Sequence, residues 1–153
     1  MAEYGQKSVF ISYAREDASY AHALYLELKA SGFDPWMDKP PPPYQNDGLK
    51  HGQRWKSVIR SRLKASDLIV LILSRVSVAK RGVVRYEFRL ALELMAELPD
   101  EDVLVVPVRV DDCRVPDLTV STISLTDLDW ADARKEEIPQ LVSNLSAQLG
   151  QIL

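Results

Sequence analysis

Three short apolar runs without polar alternation recur along the chain: VFISY at 9–13, LIVLIL at 68–73 and VLVVPVRV at 103–110. Continuous runs of branched apolar residues are typical of parallel strands that are covered on both faces, whereas strands with one exposed face alternate. A weaker fourth strand, DPWMD, follows at 34–38. The pattern therefore predicts a parallel sheet inside a layered α/β domain.

Amphipathic helical stretches separate these runs. Apolar residues recur at helical spacing from about 16 to 31, from about 53 to 65, from 82 to 95 and from about 138 to 149, and Gly32 caps the first stretch. The element order βαβαβαβ(β)α, with short connections, predicts an open doubly wound α/β sandwich. The ligand crevice of such a sheet lies beyond the carboxyl ends of its strands.

One carboxylate lies on the wrong face of the third helical stretch. In GVVRYEFRLALELM at 82–95, Glu87 falls within the arc of apolar residues, whereas Arg85, Arg89 and Glu93 lie on the opposite side. A carboxylate in that position is either a structural group, paired with an arginine or capping a loop, or a functional group. Glu87 is therefore the first candidate site residue.

Composition limits the class of protein. The 153 residues correspond to one domain, 1–153, and the single cysteine, Cys113, excludes an internal disulfide and a thiolate metal cluster. A net charge of −3 with dispersed Lys and Arg gives no footprint for nucleic acid or an anionic membrane. The longest apolar run is far too short for a membrane span, and the N-terminus lacks a signal-peptide core. We expect a cytoplasmic protein without nucleic-acid or membrane partners.

Several motifs of nucleotide-binding and phosphoacceptor proteins are missing. No G-x-G-x-x-G follows a strand, and no G-x-x-x-x-G-K-[ST] is present. The central strand ends in Ser74 and Arg75, where a phosphoacceptor receiver would need an aspartate. His22 and His51 lack the spacing of metal ligands, so we expect no metal site.

Further candidate residues follow the ends of the predicted strands and would line the crevice. Backbone amides and a guanidinium suit a diphosphate or a ribose, and a carboxylate can hydrogen-bond a ribose. These candidates are Tyr13, Ala14 and Arg15 after the first strand, Asp38 at the end of the second, and Ser74 and Arg75 at the end of the central strand.

The three tryptophans have simpler expected roles. Trp55 opens a helix whose face continues through Ile59 and Leu63, which favours a core anchor, although it would stack on a cofactor ring if it were functional. Trp36 and Trp130 are also expected in the core.

Four segments of the chain form a recognisable set when they are taken in order with their spacing. They are SVFISYAREDASYAHALYLELKASGFDPWMD, HGQRWKSVIRSRLKASDLIVLILS, RGVVRYEFRLALE and ISLTDLDW. This set resembles a Toll/interleukin-1 receptor (TIR) domain, most closely its bacterial members, from Ser8 to about Leu149. The resemblance implies a flavodoxin-like three-layer sandwich with a five-stranded parallel sheet and helices on both faces.

The resemblance also implies one of two activities. Some TIR domains only assemble signalling complexes, and others cleave NAD+ with a glutamate on the third helix and release nicotinamide. Glu87 matches that glutamate. NAD+ would then be the substrate, with no further cofactor, and a carboxylate would stabilise the ribosyl oxocarbenium ion. One departure from the family pattern weakens the case for NAD+ cleavage. Val83 occupies the position where active members commonly carry an aromatic residue that stacks on the cofactor.

The loop after the second strand is a further departure. It looks longer than usual in the family, and four successive prolines at 40–43 predict a stiff polyproline II arm or a plain solvated insertion. The resemblance implies that this loop docks on a neighbouring domain. We therefore expect self-association through the 39–52 loop, and contacts with other TIR domains or with a fused sensor domain.

Three functions remain open from the sequence. The first is an NAD+ glycohydrolase or cyclase that is activated by self-assembly in bacterial defence or signalling. The second is a non-catalytic TIR interaction module, which Val83 and the proline-rich loop favour. The third is a nucleoside deoxyribosyltransferase-like enzyme, which shares the fold and a glutamate that acts on an N-glycosidic bond.

Overall fold

The computed structural model describes residues 6–80, 83–97 and 104–152. Its strands are β1 (Ser8–Ser12), β2 (Asp34–Trp36), β3 (Leu68–Leu73), β4 (Leu104–Arg109), β5 (Thr119–Val120), β6 (Ile123–Ser124) and β7 (Ala131–Asp132). The main sheet has five parallel strands in the order β2-β1-β3-β4-β7, which confirms the expected flavodoxin-like fold. The two remaining strands, β5 and β6, form a small antiparallel pair.

Helices cover both faces of the sheet. They are α1 (Ala18–Ala30), α2 (Trp55–Lys64), α3 (Arg75–Ala79), α4 (Val83–Glu97) and α5 (Ile138–Ile152). The pair α2 and α4 packs on one face, and the pair α1 and α5 packs on the other. Within the described ranges, no helix combines the length and the apolar character needed to cross a bilayer.

The absence of alternation in the central strand follows from this layering. Successive residues of a strand point to opposite faces. In β3, Ile69 and Leu71 therefore join the core under α2 and α4, whereas Val70 and Ile72 join the core under α1 and α5. Both sets are fully buried, so every position of the strand is apolar.

The helix boundaries differ in detail from those expected. Residues Arg15–Asp17 form a turn of 3-10 helix, so α1 begins at Ala18 rather than at Glu16. Gly32 has a φ angle of +93°, which ends the helical region, as expected for a glycine that caps the helix. The short helix α3 was not expected. It begins at a capping box in which Ser74 and Ser77 satisfy each other's backbone N–H groups.

The proline-rich loop folds back on the domain, so the expectation of a continuous polyproline II arm was wrong. The Tyr44 N–H donates to the Pro41 carbonyl at 2.8 Å across a turn that contains a cis bond between Pro42 and Pro43. Pro40 and Pro41 are buried, and Pro42 and Pro43 are exposed. The turn reverses the chain within the run of prolines, so the first half of the run is buried and the second half lies in solvent.

Contacts with α1 hold this loop in place. The Tyr44 ring lies 5.6 Å from the Tyr25 ring, and the Lys29 ammonium lies 4.8 Å from the centre of the Tyr44 ring. About one turn before Tyr25 in the helix, His22 Nε2 lies 3.0 Å from the Lys39 carbonyl oxygen. The segment is thus a packed loop over one end of the domain.

Gly48 provides a test of this packing. A Cβ atom at Gly48 would overlap the Asp38 carbonyl oxygen and Pro40 Cδ, and the neighbouring Leu49 N–H donates to the same carbonyl at 2.9 Å. We expect Gly48→Ala to displace the loop and to lower the free energy of unfolding by about 1–3 kcal/mol, measured by urea denaturation. Asn46→Ala, at an exposed position of the same loop, is the control and should change it by less than about 0.5 kcal/mol. Equal stability of the two variants would contradict the close approach.

Candidate functional site

The candidate site lies at the carboxyl ends of β1 and β3. The strand order reverses direction between these strands, and ligands of open α/β sheets bind at such a point. Helices that connect parallel strands run antiparallel to them, so α2 and α4 begin at this same edge. Trp55 in the first turn of α2 and Glu87 in the second turn of α4 therefore flank the ends of the strands.

Glu87 is buried at this edge, with 6% of its surface exposed. The Oγ of Ser12, the last residue of β1, donates a hydrogen bond to Glu87 Oε1 at 2.5 Å. Ser12 is itself fully buried. None of the ion pairs found among the described residues includes Glu87, so the structure does not support pairing with an arginine.

The surroundings of Glu87 favour its neutral form. The pKa of Glu87 is raised to about 8, chiefly by burial and to a smaller extent by the negative charge of Asp38, against the lowering effect of the hydrogen bond from Ser12. The carboxyl group is therefore largely protonated at neutral pH in this conformation. A positively charged ligand beside it would favour ionisation.

Tyr13 and Asp38 extend this polar group. Burial raises the pKa of the Tyr13 hydroxyl, and Asp38 raises it further as a hydrogen-bond partner and by its charge, with a smaller contribution from Glu87. Three separate elements thus bring together Ser12, Tyr13, Asp38 and Glu87, which we call the Glu87 cluster. The structure places three of the expected site residues, Tyr13, Asp38 and Glu87, in one place.

Ala14 and Arg15 lie beside the Glu87 cluster along the chain but make a turn. Ala14 is buried, and its carbonyl accepts the Asp17 N–H at 2.8 Å. Arg15 is exposed at the start of that turn. The Arg15 guanidinium therefore lies in solvent in this structure, although Arg15 comes only two residues after Tyr13 in the chain.

Ser74 and Arg75 have structural partners. Ser74 Oγ donates to Asp17 Oδ2 at 2.6 Å and accepts the Ser77 N–H at 3.0 Å, so the hydroxyl caps α3 and ties it to the turn after β1. Arg75 pairs with Asp112 at 2.5 Å on the surface. These bonds engage both side chains at the strand end where a ligand contact was expected.

Trp55 was expected to anchor the core, but 38% of its surface is exposed, so this expectation was wrong. Its ring meets the Tyr86 ring edge-on, with centroids 5.9 Å apart and an angle of 86° between the planes. The Lys56 ammonium lies 5.4 Å from the Trp55 ring centre and 5.8 Å from that of Tyr86. Val83 begins α4, but its side chain lies outside the described residues.

The other two tryptophans differ from each other. Trp36 is buried against Phe10, with ring centroids 5.3 Å apart, as expected. Trp130 was expected in the core but is 38% exposed. It directly precedes the edge strand β7, and the Arg109 guanidinium covers its ring at 4.3 Å, so a cation and not the core packs against it.

Sequence reasoning missed Ser12 and Tyr86. Ser12 is the one small polar residue within the apolar run VFISY, which is the same kind of exception in a strand as Glu87 is in its helix. Tyr86 precedes Glu87 directly, but the helical wheel gave no reason to single it out.

No cluster of metal-binding side chains emerges from the described parts of the chain, where at least three His, Cys, Asp or Glu would have to meet. Cys113 is a free, buried thiol in the segment after β4. Burial raises the pKa of Cys113 to about 11, so it remains an unreactive thiol at neutral pH.

Comparison with known proteins identifies the fold and the family. A sequence model of the TIR domain family matches residues 9–143. The TIR domain of the Toll-related receptor TRR-2 from Hydra magnipapillata is similar with a TM-score of 0.68 and 16% identity, over 93% of this chain and 97% of that chain. The CMP N-glycosidase BcmB from Clostridium botulinum is similar with a TM-score of 0.52 and 11% identity, over 91% and 98%. No curated protein sequence matches significantly.

The raised pKa of Glu87 makes stability depend on pH. Between the ordinary value of 4.5 and about 8, the folded state keeps a proton that the unfolded state has released, so this carboxyl group lowers stability as pH rises through that interval. Glutamine stays neutral at every pH. We expect Glu87→Gln to stabilise the domain progressively from pH 4.5 to pH 8, by up to about 4 kcal/mol.

Thermal melting at intervals from pH 4.5 to pH 9 measures this difference. Glu97→Gln, at an exposed position of the same helix, is the matched control and should show no such trend. A difference between Glu87→Gln and the parent that does not change with pH would contradict the raised pKa.

Proposed function

Because this chain belongs to the TIR domain family, we propose that it is an NAD+ nucleosidase that cleaves the bond between ribose and nicotinamide with Glu87. The observation that carries the proposal is a buried carboxyl group at the carboxyl end of β1, held by one serine hydroxyl. A purely structural carboxylate would be expected to have a cationic partner. Among the described residues, the hydrogen-bond partner of Glu87 is the uncharged Ser12.

The chemistry requires one carboxylate. When the bond between ribose C1′ and the pyridinium nitrogen breaks, the electron pair goes to the nitrogen, and nicotinamide leaves as a neutral molecule without an acid. Positive charge develops on the ribose as an oxocarbenium ion, which a carboxylate stabilises best where water is excluded. Water then adds to C1′ and releases a proton.

The surroundings of Glu87 fit this role. The pyridinium of bound NAD+ is positively charged, so it would favour ionisation of Glu87 on binding. Asp38 supplies a second negative charge at the same edge, as its effect on the pKa values of Glu87 and Tyr13 indicates. The Ser12 hydroxyl fixes the orientation of the Glu87 carboxyl group.

Access to Glu87 requires movement, because the carboxyl group is buried in this conformation. We propose that self-association causes this movement.

The exposed tip at Pro42 and Pro43 is free to contact a second copy of the chain. A groove of about 520 Å³ lies beside β4, β7 and α5, and carries the carboxylates of Asp129 and Glu136. Lys39, next to the proline run, is complementary in charge to these carboxylates.

Such a contact joins a loop on one copy to a different surface on the next. Contacts of this kind repeat and form open chains or rings, so assembly would depend steeply on concentration. We further propose that the domain acts in the cytoplasm, in bacterial defence or signalling. The resemblance of the sequence to bacterial TIR domains supports this setting.

A second substrate class is supported by one comparison. The similarity to a CMP N-glycosidase favours a nucleotide or a deoxynucleoside as an alternative source of the N-glycosidic bond. A glutamate could stabilise the same oxocarbenium ion in either case. A non-catalytic interaction module is the other alternative, favoured by Val83 and by the closed position of Glu87.

Nicotinamide release tests the proposal directly. Concentrated protein incubated with NAD+ should release nicotinamide, measured by liquid chromatography, and Glu87→Gln should lower kcat by about 100-fold or more. The ratio kcat/KM should rise with pH up to about 8, since the free enzyme must ionise Glu87. Glu97→Gln is the control.

Two outcomes of this assay would contradict the assignment. A folded Glu87→Gln variant that releases nicotinamide at the parent rate would exclude Glu87 as the catalytic group. Parallel incubations with CMP and with deoxynucleosides should give no free base. Release of the base from either, without cleavage of NAD+, would instead favour the second substrate class.

Dilution tests self-association. We expect the activity per molecule to fall several-fold over a dilution of about 100-fold, because mass action dissociates a weak assembly. The double substitution Pro42→Ser and Pro43→Ser, confined to the exposed tip, should weaken assembly in light scattering and lower activity at high concentration. The exposed substitution Asn46→Ala in the same loop is the control. Constant activity per molecule across the dilution series would exclude activation by assembly.

A further inference from the structure

A pair of aromatic rings, Trp55 exposed and Tyr86 half-buried, lies beside the Glu87 cluster. Trp55 is the first residue of α2, and Tyr86 directly precedes Glu87 in α4. The two helices pack side by side over the same face of the sheet and begin at its carboxyl edge. The Trp55 and Tyr86 rings contact each other edge-on at 5.9 Å, so they form one surface at the rim of the site.

The Trp55 ring is not needed to complete the core. Ile59 and Leu63, one and two turns later on the same face of α2, are buried and fill the space over the sheet. Trp55 continues that face beyond the end of the core, where 38% of its surface stays in contact with solvent. A large ring left half in water can gain free energy when a second planar ring covers it.

The charge at this rim selects the kind of ligand. The Lys56 ammonium lies 5.4 Å from the Trp55 ring centre and 5.8 Å from the Tyr86 ring centre. Arg54 precedes Trp55 in the chain, and the first turn of α2 contains no acidic residue. A cation at this distance disfavours a positively charged pyridinium on the rings, whereas it favours a neutral base that carries phosphate groups.

The order of the groups along NAD+ also indicates that the adenosine half of the molecule lies at this rim. If Glu87 acts on the ribose–nicotinamide bond, that end of the substrate must enter the buried part of the site. The diphosphate and the adenosine then extend outward, toward the rim where the aromatic rings lie. We infer that Trp55, supported by Tyr86, stacks on the adenine ring and that Lys56 binds the diphosphate. The inference rests on the proposed function for the identity of the substrate.

Tryptophan fluorescence tests where the ligand binds. The chain has three tryptophans, and Trp130 is exposed to the same 38% as Trp55 but adjoins the edge strand β7. We expect ADP-ribose and ADP to quench the fluorescence of the parent chain and of Trp130→Phe, and not that of Trp55→Phe. Quenching by nicotinamide alone, or quenching that persists in Trp55→Phe and disappears in Trp130→Phe, would overturn the inference.

Affinity measured by calorimetry separates the two contacts. Trp55→Ala should raise the Kd for ADP-ribose about 10-fold or more, as expected for loss of base stacking, and Trp55→Phe should recover part of it. Lys56→Gln should weaken ADP-ribose and ADP but leave adenosine unchanged. Leu26→Ala, an exposed apolar residue on the other face of the sheet, is the control. An unchanged Kd in a folded Trp55→Ala variant would overturn the inference.

Kinetics keep this test separate from that of the catalytic group. Trp55→Ala should raise the KM for NAD+ about 10-fold and change kcat by less than about 3-fold, since the lost contact is remote from the reacting bond. If Glu87→Gln cleaves NAD+ at the parent rate, the proposed function fails, and the fluorescence and calorimetry still decide whether Trp55 binds the adenosine half. If cleavage depends on Glu87 but Trp55→Ala leaves KM unchanged, only the inference about Trp55 fails.

Discussion

The hydrogen bond from Ser12 to Glu87 is the interaction on which the candidate site depends. It joins the end of a central strand to the second turn of a helix, and it provides a polar partner for a carboxyl group that burial would otherwise leave unsatisfied. The same bond is too weak to offset burial, so Glu87 stays largely protonated at neutral pH. The site therefore holds its acid in a neutral form until a positive charge approaches or the surroundings open.

The rest of the structure sets the position of this bond. The apolar residues of α4 that flank Glu87, such as Phe88 and Ala91, are buried against the sheet and bring the carboxyl group with them. Asp38 lies between β2 and the proline-rich loop, and Tyr44 of that loop packs on α1, which covers the other face of the sheet. Packing over both faces of the sheet thus brings together groups that have no local reason to meet.

Much of the fold could be predicted from the sequence because the buried strands have a simple signature. The apolar runs at 68–73 and 103–110 predicted strands covered on both faces, and the structure places them at the centre of the sheet. The break in the apolar face at Glu87 was also visible, since helical periodicity shows a misplaced charge directly. In both cases the deciding information lies within a dozen neighbouring residues.

Other features could not be read in this way because they depend on contacts between distant segments. Ser12 is an ordinary strand residue until α4 packs above it, 75 positions later in the chain. Trp55 continues an apolar helix face, and only the three-dimensional edge of the core shows that its ring is left in solvent. The proline run predicted a stiff segment. The folded shape of the loop, however, also depends on the close approach of Gly48 to the Asp38 carbonyl group, ten positions earlier in the chain.

The place of β1 in the sheet has a consequence for how the chain folds during synthesis. Of the strands in this sheet β1 is made first, yet it lies between β2 and β3, so one of its edges has no partner until Leu73 has left the ribosome. An apolar strand with an open edge is prone to pair with other chains. Early pairing with β2, and packing of α1 over that pair, would protect the nascent chain during this interval. Once β3 has paired with β1, its own outer edge stays open until β4 is made, so the aggregation-prone stage ends only after α4, with Glu87, has been made.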